Sequence, residues 1–224
     1  MKLVTVQQVM IHADDVVLPG ELALPDAPHG IVLFAHGSGS SRHSPRNRLV
    51  ASILHDAEIG TLLFDLLTPE EDIGLTRRFD IALLSDRLSA ATESIERLTG
   101  QSPLRLGYFG ASTAAAAAVR AAAATPAHRR IDAVVSRGGR VDLAGHDALC
   151  RLASPLLMIV GEADPGVVNL NARAAAWITC EKRLEVVPGA THLFEEPGAL
   201  EQVGRLAAQW FARYFAAAEK GRGT

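Results

Sequence analysis

The sequence predicts an α/β protein in which a mostly parallel, doubly wound sheet carries helices on both faces. Six continuous apolar runs indicate strands buried on both faces, because a strand covered on one face only would alternate apolar and polar residues. Longer segments with helical spacing separate these runs. The six runs are GIVLFAHG, GTLLFDLL, LRLGYFG, IDAVVSRGG, PLLMIVGEAD and RLEVVPGATH.

Two strand-like stretches precede these runs, and three helices are predicted. Val4 to Ile11 and Val16 to Ala23 are separated by a gap short enough for an antiparallel start. The alanine tract from Ala114 to Ala124 predicts a helix because alanine is the strongest helix former. Ile81 to Leu98 and the stretch from Ala199 onward place apolar residues three and four positions apart, as amphipathic helices do. The aromatic residues expected in the core are Trp210, Phe211, Tyr214 and Phe215.

Composition and charge favour small-molecule chemistry. The chain has 224 residues, 48% of them hydrophobic and 21% charged, which suits one α/β domain over residues 1–224. The net charge of -3 gives no long-range attraction for nucleic acid or an anionic membrane. Because neither a signal-peptide pattern nor a membrane-span pattern is found, we expect a cytoplasmic protein. Cys150 and Cys180 are expected to be free thiols rather than a disulfide or zinc site.

Ser112 lies where a strand-like run turns abruptly into a helix-like one, in the sequence GYFGASTAAAA. Gly110, Ala114 and Ala115 surround it with small side chains, as a sharp strand-to-helix turn requires. The pattern GASTA departs from G-x-S-x-G by the methyl group of Ala114. Ser112 is therefore a candidate nucleophile. The alternative is that it caps the helix, which serine often does.

A serine nucleophile needs an imidazole to take its proton and usually a carboxylate to orient that imidazole. His192 directly follows the last predicted strand, where this sheet would place a base. Asp164 closes the preceding strand and could accept the imidazole N–H, or could be a turn residue ahead of Pro165. Glu162 is the rival carboxylate, and we favour Asp164. The resulting chain order Ser, Asp, His is the one expected for this topology.

The loop LFAHGSGSS and the start of the helix after Ser112 supply candidate donors for an oxyanion hole. The amide of Thr113 is one donor and the amide of Ser38 is the other. Gly37 and Gly39 let the backbone approach a substrate closely, and His36 is expected to brace the loop by a hydrogen bond. The alternative is a phosphate cradle, but the loop contains neither G-K-[ST] nor G-x-G-x-x-G.

The segments AHGSGS, GYFGASTA, GEAD and GATHLF occur in this order over most of the chain. They resemble the α/β-hydrolase superfamily, in particular its compact dienelactone hydrolase-like branch. FDLLTPEE, SRGGR and THLFEEPGALE resemble a group of bacterial hydrolases in that branch, some fused to a phosphoribosyltransferase domain, and no such fusion is expected here. The resemblance implies the α/β-hydrolase fold, a triad of Ser112, Asp164 and His192, and an oxyanion hole formed by the Ser38 and Thr113 amides.

The expected reaction is hydrolysis of carboxylic esters of small or medium size through an acyl-enzyme, with no metal or organic cofactor required. True dienelactone hydrolases use cysteine as nucleophile, whereas position 112 is serine, so a general ester is expected rather than dienelactone. Alternatives with the same triad are a thioesterase, a lactonase and an acyltransferase. An alternative of another class is a ligand receptor without turnover.

The substrate pocket is expected to be open, because residues 137–154 are too few for a large lid between their two strands. Arginines follow several strand ends, and Arg42 and Arg137 are candidate contacts for an acidic substrate group. The alternative is that the arginines pair with acids such as Asp65 and Asp142. The five arginines are Arg42, Arg46, Arg48, Arg137 and Arg140.

Overall fold

A computed structural model of the protein describes residues 3–37, 39–100, 105–126 and 130–217. Eight strands and seven α-helices are found in these ranges. The strands are β1 (Val4–Ala13), β2 (Val16–Pro25), β3 (Ile31–Ala35), β4 (Gly60–Phe64), β5 (Leu106–Ala111), β6 (Ala133–Arg137), β7 (Leu156–Gly161) and β8 (Lys182–Val187). The helices are α1 (Pro45–Asp56), α2 (Leu75–Arg78), α3 (Ile81–Thr99), α4 (Ala114–Ala124), α5 (His146–Arg151), α6 (Pro165–Ala175) and α7 (Ala199–Ala217).

The eight strands form one sheet in the order β1-β2-β4-β3-β5-β6-β7-β8. β1 and β2 form an antiparallel hairpin, and β2 is also antiparallel to β4. All further pairs are parallel, with helices crossing between consecutive strands. The predicted mostly parallel, doubly wound sheet with an antiparallel start is therefore confirmed.

The central strands are buried on both faces, as their continuous apolar runs predict. Every residue of β3, β4, β6 and β7 is buried. The same prediction is wrong for β8, in which Lys182 and Arg183 are exposed and only Val187 is buried. β8 lies at the sheet edge and pairs with β7 alone among the described strands, so one side of it faces solvent.

Helix α3 begins and ends where its sequence signals place it. The Asp80 side chain accepts a hydrogen bond from the Leu83 amide (3.0 Å), and Gly100 ends the helix in the left-handed conformation at φ 64°. Its apolar face packs into the core on one side of the sheet, and the observed end at Thr99 is one residue beyond the predicted one. The buried apolar residues of this face are Leu84, Leu88, Ala91 and Ile95.

Helices α1 and α7 cover the opposite face of the sheet. Trp210, Phe211 and Phe215 are buried as predicted, whereas Tyr214 is only partly buried. Gly107 of β5 makes room for this packing, because a Cβ atom there would lie 2.5 Å from the Phe211 ring. No helix in the described part of the chain is both long and apolar enough to cross a bilayer.

The connection from β6 to β7 holds a 3-10 helix, Val141–Ala144, and the six-residue α5. This confirms the absence of a large lid at this position. A second 3-10 helix, Glu71–Ile73, and the short α2 follow β4. The short helices after β4 and β6 therefore lie beside the carboxyl ends of the parallel strands.

Candidate active site

Ser112 occupies a strained turn between β5 and α4. Its φ is 52°, in the left-handed region that residues with a Cβ rarely adopt. Two hydrogen bonds hold the turn in place: the Ser112 amide donates to the Arg137 carbonyl (3.1 Å), and the Ser112 carbonyl accepts from the Arg140 amide (3.1 Å). The loop after β6 thus fixes both main-chain polar groups of Ser112.

Close backbone packing explains the small residues around Ser112. A Cβ atom on Gly110 would lie 2.5 Å from the Cα atom of Ala115, and one on Gly37 would lie 3.1 Å from the Cβ atom of Ser112. Side chains at these two positions would push β5 away from α4, or the loop after β3 away from Ser112. The turn therefore needs glycine at position 110 and a small residue at position 37.

His192 lies beside Ser112, in the loop after β8. Its Nε2 atom is 3.4 Å from Ser112 Oγ, and its Nδ1 atom is 2.7 Å from Asp164 Oδ2. Because a carboxylate only accepts hydrogen bonds, Nδ1 carries the proton and donates to Asp164, which leaves Nε2 free to accept from the serine hydroxyl. The ring packs against Gly138, where φ is 53° and a Cβ atom would lie 3.4 Å from Cε1.

Asp164 has two roles in the structure. While Oδ2 accepts from His192, Oδ1 accepts from the Val167 amide (3.4 Å) and caps helix α6, which begins at Pro165. The two readings of this residue from the sequence are thus compatible. The rival carboxylate, Glu162, accepts from the Gly189 amide (2.8 Å) and does not contact the imidazole.

Of the two candidate oxyanion donors, the structure describes the Thr113 amide but not the Ser38 amide. The Thr113 amide makes no hydrogen bond to the described part of the chain, since it precedes the first turn of α4. Ser38 lies outside the described residues. The alternative that Ser112 caps α4 is not observed: Thr113 occupies the capping position, without a side-chain capping bond, and the Ser112 hydroxyl contacts His192.

His36 joins the loop after β3 to the end of β4. Its Nε2 accepts a hydrogen bond from the Leu66 amide (3.1 Å), so the ring proton is on Nδ1, which donates to the Gly37 carbonyl (3.3 Å). Burial lowers the pKa of His36, since charging the ring would require a desolvated cation. This is the bracing role expected from the sequence.

Four of the five arginines near the strand ends have acidic partners. The Arg42 side chain pairs with Asp65 Oδ2, and its amide donates to Asp65 Oδ1 (2.8 Å), so the ion-pair alternative describes Arg42 better than a free substrate contact. Arg137 is different, because no described side chain pairs with its guanidinium. The other pairs are Arg46 with Glu195, Arg48 with Glu21 and Arg140 with Asp142.

Sequence reasoning missed the residues that hold the turn from the β6 side. Gly139 has no room for a side chain, since a Cβ atom there would lie 2.5 Å from the Ala115 Cβ. The fully buried Asn171 donates to the Gly139 carbonyl (2.8 Å) and so ties this loop to α6. The two adjacent glycines directly after a predicted strand, in SRGGR, were the available signal.

A narrow recess lies beside the loop after β3. Arg78 borders it and is held by Asp72, with Nε 2.7 Å from Oδ1 and Nη2 3.2 Å from Oδ2. Leu67 and Leu84 give it an apolar side. The free volume is about 10 Å³, the space of roughly one water molecule, so a substrate group entering here needs the wall to move.

The fold is shared with solved hydrolase structures, although no family model matches the chain. A dienelactone hydrolase of Anabaena variabilis is 48% identical and superposes with a TM-score of 0.89, covering 94% of this chain and 98% of that one. An esterase domain of a Rhodothermus marinus protein (19% identical, TM-score 0.74, 94% and 99% covered) shares the fold. An alpha-beta serine hydrolase homologue of Coxiella burnetii also shares it (19% identical, TM-score 0.75, covering 91% of this chain and 96% of that one).

Fold and site together define a hydrolase with the α/β-hydrolase fold. Within that class, the chain belongs to the dienelactone hydrolase family, as its identity to the Anabaena enzyme over nearly its whole length establishes. The chain is also 54% identical over 205 residues to a protein found in two Mycobacterium tuberculosis strains and provisionally named a phosphoribosyl transferase. That match covers 92% of this chain, which spans about half the length (46%) of these curated relatives.

Proposed function

We propose that the protein is a serine hydrolase that cleaves carboxylic esters of small or medium size through an acyl-enzyme on Ser112. The observation that carries the proposal is the hydrogen-bonded chain from Ser112 through His192 to Asp164. It combines a nucleophile, a base and an orienting carboxylate within contact distance, which is the arrangement that activates a serine hydroxyl.

In the first half of the reaction, Ser112 Oγ attacks the ester carbonyl carbon while His192 Nε2 takes its proton. The Asp164 carboxylate stabilises the imidazolium that forms. The Thr113 amide is oriented by the start of α4 to donate to the developing oxyanion, and the Ser38 amide is the proposed second donor. The tetrahedral intermediate collapses, the C–O bond to the alcohol breaks, and His192 returns its proton to the departing alkoxide.

In the second half, water replaces the alcohol. His192 takes a proton from water as its oxygen attacks the acyl carbonyl, and the collapse of this second intermediate releases the carboxylic acid and restores the Ser112 hydroxyl. The His192 side chain is about two-fifths exposed, so solvent reaches the imidazole.

Lactone opening is the second candidate reaction, because the Anabaena relative of 48% identity is named a dienelactone hydrolase. A lactone is a cyclic ester, so the same two halves apply and the alcohol stays attached to the acyl group. Ring-opened product is then released as one molecule. Comparing linear esters with lactones of the same acyl length separates these two substrates.

The proposal is tested by measuring hydrolysis of 4-nitrophenyl esters, acyl thioesters and lactones by the wild-type protein and by Ser112→Ala. We expect ester hydrolysis to fall at least about 10⁴-fold in this variant. Ser52→Ala, at an exposed position on α1, is the control and should retain full activity. If the folded wild-type protein hydrolyses none of these compounds yet binds one of them tightly, with or without the Ser112 hydroxyl, the proposal is wrong and the protein is a receptor.

A further inference from the structure

Arg137 pairs in the sheet register with the neighbour of the proposed nucleophile and carries a buried guanidinium that the steps above do not use. It is the last residue of β6, it pairs with Ala111 in the sheet register, and its carbonyl accepts the Ser112 amide. The residue is 9% exposed. The main chain of this buried arginine is therefore hydrogen-bonded to the main chain of the proposed nucleophile.

No described residue compensates this cation. The Nη1 atom of Arg137 is fully buried without a hydrogen-bond partner, and no carboxylate forms an ion pair with the guanidinium in the described ranges. Buried cations are normally paired, because an unpaired one loses its hydration without compensation. The four neighbouring arginines at this edge are more exposed and each has an acidic partner, so Arg137 is the one of the five that combines burial with an unpaired guanidinium.

A second cation lies close to the first. Burial and the charge of Arg46 lower the pKa of Arg137 to about 10, so Arg137 remains charged at neutral pH with a like charge nearby. The Nε atom of Arg46 is also buried without a partner. Arg46 lies in the first turn of α1, where the free helix amides add positive potential.

The position of the Arg137 side chain follows from strand alternation. Alternate residues of a strand share a face, and Val135 packs with α1, α7 and Phe194. Arg137 therefore points to the space between the first turn of α1 and the loop that carries His192. The Arg46 guanidinium reaches the same loop, since its Nη1 is 3.5 Å from Glu195 Oε1.

We propose that Arg137, assisted by Arg46, binds a small oxyanion, a carboxylate or phosphate group, next to Ser112. The planar guanidinium can donate two parallel hydrogen bonds to either group. The anion is the acid group of an ester substrate or a free anion that occupies the same space. The first source rests on the proposed function, whereas the second does not.

Binding is measured first without turnover. Inorganic phosphate and acetate are titrated by calorimetry into the Ser112→Ala protein, with and without Arg137→Met. We expect affinity to fall about tenfold or more when Arg137 is replaced, as the loss of a charge-assisted hydrogen bond predicts. Arg205→Met, which removes one positive charge from the exposed side of α7, should leave the affinity unchanged.

The source of the anion is measured by turnover. The kcat/KM for 4-nitrophenyl hydrogen succinate is divided by that for 4-nitrophenyl butyrate, which lacks the terminal carboxylate. A ratio that is high in the wild-type protein and about tenfold lower in Arg137→Met identifies the substrate's acid group. An unchanged ratio, with phosphate binding that depends on Arg137, identifies a free anion.

Two further variants keep the proposal testable. Arg46→Gln, at a partly exposed position, should weaken phosphate binding by a smaller factor than Arg137→Met. Arg137→Lys keeps the charge but loses the two-pronged geometry, and it replaces the methionine variant if that one does not fold. Anion binding and ester ratios that are both independent of Arg137 would overturn this inference and leave the hydrolase proposal intact. If the protein hydrolyses no ester but binds phosphate in a way that depends on Arg137, the hydrolase proposal is overturned and this inference stands.

Discussion

The turn at Ser112 and the segment after β4, residues 65–80, flank the same loop but differ in how far charged side chains hold them in place. At Ser112 the contacts are between main chains, through its hydrogen bonds to Arg137 and Arg140 and the close approach at Gly110. In residues 65–80 charged side chains make many of the contacts: Asp72 holds Arg78, and Glu71 accepts from the Thr68 amide and from two arginines.

This difference in contacts distinguishes the turn that carries the reacting serine from residues 65–80, which form a wall of the site. Main-chain contacts on both sides leave the Ser112 turn one position, so its hydroxyl stays within reach of His192. Side-chain ion pairs can exchange partners, and residues 65–80 expose three apolar side chains, Ile73, Leu75 and Phe79. We infer that this segment adapts to the substrate while the turn does not.

The largest expected effect lies in the hydrogen-bonded chain. Asp164→Asn should lower kcat about 10⁴-fold, because an amide that donates to Nδ1 puts the ring proton on Nε2, where it blocks acceptance from Ser112. Asparagine can still cap α6, so the free energy of unfolding should change little. Glu162→Gln is the matched control and should retain the wild-type kcat. Equal losses in the two variants would remove Asp164 from its proposed role.

The same methyl group added in the two regions should have very different effects on stability. Gly110→Ala forces a Cβ atom against the Ala115 backbone and should lower the free energy of unfolding by about 3 kcal/mol. Gly74→Ala meets nothing within 4 Å and should change it by less than about 0.5 kcal/mol. Urea unfolding of both variants measures the contrast, and similar losses would contradict it.

The loop after β3 should make stability depend on pH. Burial lowers the pKa of His36 below 6.5, so the folded protein prefers the neutral ring. The contribution of the neutral His36 ring to the free energy of unfolding is then fully present above pH 6.5. It declines as the pH falls, by up to about 1.4 kcal/mol per pH unit for one group. His36→Gln should flatten this decline, leaving a remainder from His55, whose pKa is also lowered by burial. Ser52→Gln, at an exposed position on α1, is the control and should leave the slope as it is in the wild-type protein.

The smallest expected effect is on the adaptable wall. Arg78→Met removes the side chain that Asp72 holds beside the recess and should raise KM about threefold, with kcat unchanged. Arg77→Met changes the preceding residue, which is more exposed and pairs with Glu71, and should leave KM as it is. A fall in kcat for Arg78→Met would show that residues 65–80 position the reacting groups as well.

Much of the fold was predictable because its signals are local. Apolar runs of five or six residues mark the buried strands, and the alanine tract marks α4 to the residue. The small residues around Ser112 follow from the turn geometry itself. The chain order of Ser112, Asp164 and His192 then follows from the topology.

The sequence prediction was wrong about the burial of β8 and left open which arginines are paired. β8 lies at the sheet edge, and the signal for this was local: Lys182, Arg183 and Glu185 are charged residues of the kind that edge strands carry. The ion-pair alternative named Asp65 and holds for Arg42, whereas the unpaired state of Arg137 is a property of its three-dimensional neighbourhood rather than of spacing. The hydrogen bond from Arg140 to Ser112 joins two loops 28 residues apart along the chain.

The most direct test of the central claim is labelling of the purified protein with a fluorophosphonate probe, followed by peptide mapping by mass spectrometry. The probe reports activation of a serine without requiring the natural substrate. We expect one adduct, on Ser112, that is lost in His192→Ala while the exposed Ser52 stays unlabelled. A folded wild-type protein that forms no adduct on Ser112, or one that labels equally well without His192, would contradict the claim that His192 activates this hydroxyl.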